Sequence, residues 1–185
     1  MGKLWEKIKV FLERSWKTRN TKSNLKGDMQ NSEEKLLEQL ENIKKMKGAF
    51  EKAVNFVLKW EGGYSNTPND PGGETKYGIS KRSYPDVDIK NLTLEQAKEI
   101  YRRDFWRAGG CDNLEFPLDA VVLDTAVNCG VERAKKFLGE ASDWKDYLLR
   151  RVQYYTRLKG ARYFLKGWVN RVVDLYNMIK ESKNA

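Results

Sequence analysis

Apolar residues along this 185-residue chain recur at the three- and four-residue steps of amphipathic helices, with one long interruption. Leu4, Ile8, Phe11, Leu12 and Trp16 mark a first helix, and Leu36, Leu37, Leu40, Ile43 and Met46 a second; a polar stretch over Thr18–Ser32 reads as the linker between them. A third helix runs from Phe50 to Glu61 and stops at Gly62-Gly63. The interruption follows, from Gly62 to about Asn91, and collects most of the Gly, Pro and Asn residues. Within it, Tyr64–Asn66 and Glu74–Ser80 are placed to pair as a small β-hairpin around the Asn-Asp-Pro-Gly-Gly turn. Thr93-Leu-Glu-Gln96 is a capping box that opens a helix reaching about Trp106. Leu118–Cys129 is apolar around much of its circumference and ends at Gly130, which predicts the central buried helix. Helices over about 131–138, 143–158 and 162–181 complete the chain. The pattern therefore predicts a mainly α main domain over 48–185 with one small β-hairpin. A helical N-terminal extension with a polar linker, 1–47, precedes it. Its helices are expected to pack on the main domain, and the basic face of the first also suits an anionic membrane surface or a partner.

The third helix contains an inconsistency. At 100° per residue, Ala53, Val54, Val57 and Leu58 fall within about 80° of Phe50, and Glu61 falls about 20° from it, on the same stripe. A carboxylate there faces partial burial and the negative end of the helix dipole, and both disfavour its charged form. That combination suits a general acid. Gly62 and Gly63 remove side-chain bulk beside it and leave room for a ligand. The bland alternative is a frayed helix end whose acid has swung into water. Asp70, Glu74 and Thr75 return polar groups within a short loop, and two carboxylates flanking a bond are the usual equipment for glycoside hydrolysis. Thr75 is suited to hold an attacking water, and Asp70 or Glu74 to activate it or to stabilise positive charge. Asn-Asp-Pro-Gly-Gly is also an excellent solvated turn, so Asp70 has a purely structural alternative. Tyr64, Tyr77, Trp60 and Trp106 are available to stack on sugar rings, although core packing is the better default for Trp106. Trp168, Asn170 and Arg171 are expected to brace the fold rather than touch substrate.

Composition narrows the chemistry. The chain has no histidine and two cysteines, Cys111 and Cys129. That removes Ser-His-Asp and Cys-His catalysis, makes a zinc site untenable, and leaves acid–base work to carboxylates, Lys, Tyr or water. Neither a metal nor another cofactor is expected, and both cysteines read as small core residues. The net charge is +9, of which 1–47 carry +5, from twelve Lys and Arg against seven Asp and Glu. A basic surface suits a polyanion such as nucleic acid, anionic lipid or an acidic wall polymer. No run is long enough to span a bilayer, and the N-terminus lacks a secretory h-region, so synthesis and folding in the cytoplasm are expected.

The stretch "EGGYSNTPNDPGGETKYGIS", Glu61–Ser80, resembles the signature of glycoside hydrolase family 108, the lysozyme-like N-acetylmuramidases of phage endolysins and secretion-activating proteins. The segments "AKEIYRRDFWRAGGCDNL", "LDTAVNCG" and "FLKGWVNRV" agree in order, so that the resemblance covers roughly Phe50–Tyr176. It implies a lysozyme-like helical fold and cleavage of the β-1,4 bond between N-acetylmuramic acid and N-acetylglucosamine. It also implies Glu61 as the catalytic acid, with Asp70 and Thr75 as its catalytic companions. Tyr64, Glu74 and Tyr77 are the expected substrate contacts. Peptidoglycan glycan strands are the implied partner, nucleic acid is not expected, and a monomer is. Without a signal, the enzyme is expected to reach the wall through a holin or a secretion-linked lesion. The segment after Arg133, "AKKFLGEASDWKDY", is shorter than the family pattern, and 1–47 has no counterpart in it. The competing reading is a basic helical module that binds wall polymer or nucleic acid without cleaving it. It offers no reason for an acid on an apolar stripe.

Overall fold

The computed structural model describes residues 25–66 and 73–184, with side chains over 34–66 and 73–183. The first amphipathic segment, Leu4–Trp16, and Asp70 lie outside the described residues. The chain divides into two compact units, Met1–Lys45 and Met46–Ala185. In order along the described residues come helix α1 (Leu25–Glu61), strands β1 (Thr75–Lys76) and β2 (Ile79–Ser80), and α2 (Leu94–Tyr101). Then follow α3 (Leu118–Cys129), α4 (Val131–Glu140), α5 (Trp144–Thr156) and α6 (Ala161–Asn184). The fold class is mainly α with one small antiparallel hairpin, as the periodicity predicts, and is consistent with a lysozyme-like helical domain.

The largest departure is α1. The sequence reads as a linker followed by two helices, whereas the described chain is one 37-residue helix. Leu25–Ser32, assigned to the linker, is already helical, and Gly48 does not interrupt it. A glycine in a helix interior costs only about 1 kcal/mol relative to alanine, too little to break a helix that an apolar stripe anchors further on. That stripe is Phe50, Ala53, Val54 and Val57, all buried. In the first unit, Leu36, Leu37 and Ile43 are exposed.

The hairpin also departs from expectation in register. β1 and β2 pair antiparallel as Thr75↔Ser80 and Lys76↔Ile79, so the segment Glu74–Ser80, expected as one strand, itself reverses at Tyr77-Gly78. Both turn residues have positive φ, 53° and 75°, the requirement of a type I′ turn. Tyr64–Asn66 contributes a single bridge, Ser65↔Thr75, closed by two backbone hydrogen bonds of 2.8 Å.

The remaining elements match the periodicity closely. Thr93 caps α2 in a complete capping box with Gln96, and the helix continues through a π-helical turn over Arg102–Arg107 that buries Trp106. The Trp106 indole meets Phe50 edge-on and donates to Asp112 at 2.6 Å, so core packing is its role. Helix α3 is the centre of the second unit: its residues from Asp119 to Ala126 are all buried. Its neighbours supply Tyr147, Leu148 and Tyr155 from α5 and Val172, Leu175 and Ile179 from α6. Cys111 is buried and Cys129 partly so, and both are free thiols.

Candidate active site

Glu61 is the last residue of α1. Gly62 follows in the left-handed region at φ 72°, the usual glycine stop after a helix, and turns the chain toward the Ser65–Thr75 bridge. The bridge delivers the chain into β1, and the tight turn then brings Gly78 back over the end of α1. A methyl group at Gly78 would stand 2.8 Å from Glu61 Oε2 and 2.5 Å from the Tyr101 hydroxyl. Only glycine allows both the positive φ and this approach. Tyr101, from α2, donates its hydroxyl hydrogen to the Tyr77 carbonyl at 2.7 Å, which pins the turn in place. Burial, and then the nearby Glu61 charge, push the Tyr101 pKa above the ordinary tyrosine range, so it is a neutral donor at any physiological pH.

The Glu61 side chain is 21% exposed and is not frayed into solvent: Arg171 Nη1 of α6 donates to its Oε1 at 2.7 Å. Arg171 also reaches Asp124 of α3, with Nε 2.9 Å from Oδ1. The other Asp124 oxygen accepts from Arg151 Nη1 of α5 at 2.6 Å. Arg151 Nε in turn donates to the Tyr155 hydroxyl at 2.6 Å, and that hydroxyl donates to Asn128 Oδ1. Charges thus alternate along Glu61, Arg171, Asp124 and Arg151. Asp124 and Arg151 are fully buried, and Arg171 is nearly so. Burial alone would raise the Asp124 pKa, but the two guanidiniums outweigh it and hold the carboxyl below the usual carboxylate range. Burial likewise opposes the charge on Arg171, and Asp124 and Glu61 more than restore it.

The expected substrate-contact residues lie on the loop and hairpin that follow Glu61. Tyr64, exposed, donates to Glu74 Oε1 at 2.7 Å. That bond, followed by slight burial and the Glu74 charge, raises the Tyr64 pKa. Thr75 is partly buried and donates to the Gly73 carbonyl at 3.2 Å. Tyr77 is partly buried, with Lys76 over its ring. Trp60 is half-buried against the core. Among the described residues no group of three or more acidic or sulfur side chains is gathered to hold a metal. The reading of Arg171 as a brace was incomplete, because it contacts the candidate acid directly. Asp124, Arg151 and Tyr101 were not singled out at all. The signal for the three charged residues was present: Asp124 lies in an all-round apolar helix, and Arg151 and Arg171 lie on the apolar stripes of α5 and α6.

Residues 54–130 match the model of the family described as Glycosyl hydrolase 108. The resemblance carried by the Glu61 segment is to this family. The glycosyl hydrolase match takes in Glu61, the hairpin, Tyr101 and Asp124, while Arg151 and Arg171 lie beyond it. Asp70 lies inside the matched range and outside the described residues. A solved structure, that of Brucella abortus SagA, is similar at 28% identity with a TM-score of 0.63 over 73% of this chain and 95% of that one. No curated protein matches by sequence. Among the described residues no helix is long and apolar enough to cross a membrane. The class of chemistry these likenesses suggest is glycoside hydrolysis of the peptidoglycan type.

Two outcomes follow from the geometry. Gly78→Ala is expected to cost about 1–2 kcal/mol from the left-handed backbone alone, with a larger fractional loss of activity because its methyl group displaces Glu61; urea melts and turnover measured together check both. Asp124→Asn leaves two buried guanidiniums without a full counter-charge and is expected to cost about 3–5 kcal/mol. Because the folded Asp124 pKa is depressed, its stabilisation is complete above the unfolded carboxylate pKa of about 4 and is lost as pH falls through the lower folded value. Wild-type stability should therefore drop below about pH 4, and the Asp124→Asn curve should be flatter there.

Proposed function

We propose that this protein is a peptidoglycan hydrolase of muramidase type, with Glu61 as the general acid, acting in the manner of a phage or prophage endolysin. One observation carries the reading: a single, partly exposed carboxylate at the end of α1 is ion-paired by a buried arginine on one oxygen and has its other oxygen beneath the Tyr77-Gly78 turn. In its protonated form Glu61 gives its proton to the glycosidic oxygen as the C1–O bond breaks. The sugar then develops oxocarbenium character, and the leaving hydroxyl departs neutral. The carboxylate that results is received by Arg171, whose own charge is held by Asp124, so no lone charge appears in the interior. Asp70 activates the water that attacks C1, with Thr75 orienting it; Tyr64 and Glu74, bonded to each other, and Tyr77 line the substrate side. Domain roles follow the same reading, with 48–185 catalytic and 1–47 a targeting extension that brings the enzyme to a membrane surface or partner. The protein acts as a monomer on glycan strands after release to the wall.

The test is clearing of purified peptidoglycan by the full chain, with the released fragments weighed by mass spectrometry. Wild type is expected to clear it and to release fragments with reducing N-acetylmuramic ends. Anhydro ends would instead indicate a transglycosylase. Glu61→Gln is expected to lose at least about a thousandfold in rate, combining loss of general acid catalysis with a disturbed ion pair. Asp70→Asn is expected to lose most activity while still sedimenting with the wall. Equal clearing by wild type and Glu61→Gln would remove Glu61 from the mechanism, and full turnover by Asp70→Asn would return that residue to a turn.

A further inference from the structure

The stripe of α6 that supplies Arg171 does not end there. Leu175 and Ile179, C-terminal to it on the same stripe, are fully buried, and Arg171 is 6% exposed. One turn toward the N-terminus Trp168 is half-buried, and one turn further Phe164 is 59% exposed, with Tyr163 beside it at 74%. The rings form a ladder. Tyr155 lies 5.1 Å from Trp168, Trp168 lies 5.8 Å from Phe164, and Phe164 lies 6.3 Å from Tyr163, centroid to centroid. The inner rung, Tyr155, is itself bonded to the ion-pair chain through Arg151. Gly160 backs the outer rungs: a methyl group there would lie 3.2 Å from Phe164 and 3.3 Å from Trp168. The ladder therefore leaves the catalytic end of α6 and reaches solvent about 10 Å along the helix from Arg171.

Charge along the segment that carries the ladder is of one sign. Between Tyr147 and Val173 the chain has seven Lys and Arg and no Asp or Glu. Arg157, Lys159, Arg162 and Lys166 are exposed, and the Arg162 guanidinium lies over the Tyr163 ring at 5.5 Å. Exposed aromatic faces in a cationic rim match a ligand with apolar C–H ring faces and pendant anions.

We propose that Tyr163, Phe164 and Trp168 form a glycan-binding platform. It extends the Glu61 site along α6 for a β-1,4-linked amino-sugar strand carrying carboxylates, and the four cations contact those carboxylates. The choice of wall glycan rests on the function proposed above; the platform itself rests on the ladder and its rim.

The test uses the full chain in the Glu61→Gln background, so that binding is read without cleavage. The measurements are co-sedimentation with purified peptidoglycan and with insoluble chitin, which has the same linkage and N-acetyl groups but no carboxylates. Tyr163→Ala with Phe164→Ala is expected to weaken binding to both by about tenfold or more. Leu149→Ala, an equally exposed truncation on the far side of α5 from Arg151, is expected to leave it unchanged. Replacing Lys159 and Lys166 by Gln is expected to weaken peptidoglycan binding alone and to lower its salt dependence. In the active enzyme the ring variants should raise KM for long strands with kcat little changed, and their melting temperature should match wild type because both rings are exposed. Undiminished binding by the double ring variant overturns the platform. So does undiminished binding accompanied by loss of a dimer in sedimentation, which would give the rings to a second copy. Failure of wild type to cleave, with ring-dependent binding intact, would remove the catalytic reading and leave the platform standing.

Discussion

The buried alternation of charge from Glu61 through Arg171 and Asp124 to Arg151 is the constraint on which the second unit is organised. Four helices, α1, α3, α5 and α6, each contribute one member, and each member would be expensive to bury alone. Paired, they cancel, and the two ends of the chain differ. At one end Arg151 is fully buried and bonded to Tyr155; at the other the Glu61 side chain stays partly exposed. The interior therefore fixes the partly exposed Glu61 carboxylate using contacts that are themselves largely out of reach of solvent. A buried ion network stabilises little compared with well-packed apolar residues of the same size. Its presence at the core of a small helical unit makes more sense as a device for orientation than for stability.

The second constraint is the hairpin. Two strands of two residues are far too short to be stable alone, and here they are held by the Ser65 bridge on one side and by the Tyr101 hydroxyl on the other. The turn at Tyr77-Gly78 has to present a residue without a side chain, because a carboxylate and a phenol both lie within van der Waals reach of that point. The motif Tyr-Gly is thus explained by geometry: Gly78 gives clearance over the acid, and the Tyr77 carbonyl is the anchor for Tyr101.

Much of this was legible in the amino-acid sequence, and the parts that were not share a cause. Local signals were reliable: the capping box at Thr93, the glycine stops at Gly62 and Gly130, and the all-round apolar character of Leu118–Cys129 each correspond to what is seen. Tertiary signals were not. The stretch from Leu25 to Ser32 reads as a linker because its residues are mostly polar, yet it and Gly48 lie inside α1, since weak propensities cost a helix too little to end it. The further reversal at Tyr77-Gly78 carries no strong local turn signal; the acid at the end of α1 and Tyr101 of α2, both distant in sequence, hold it there. Glu61 stood out since its own helix made it an exception. Its arginine lies 110 residues away, and only folding shows that the two exceptions answer each other.

The central claim is that Arg171 orients Glu61 for proton transfer rather than merely holding α6 in place. Steady-state kinetics of Arg171→Met on purified glycan strands, at a temperature where both proteins remain folded, test it most directly. The account predicts kcat reduced by about tenfold or more with KM nearly unchanged, and partial recovery of kcat in Arg171→Lys. An Arg171→Met enzyme with wild-type kcat, or one impaired only through KM, would contradict it.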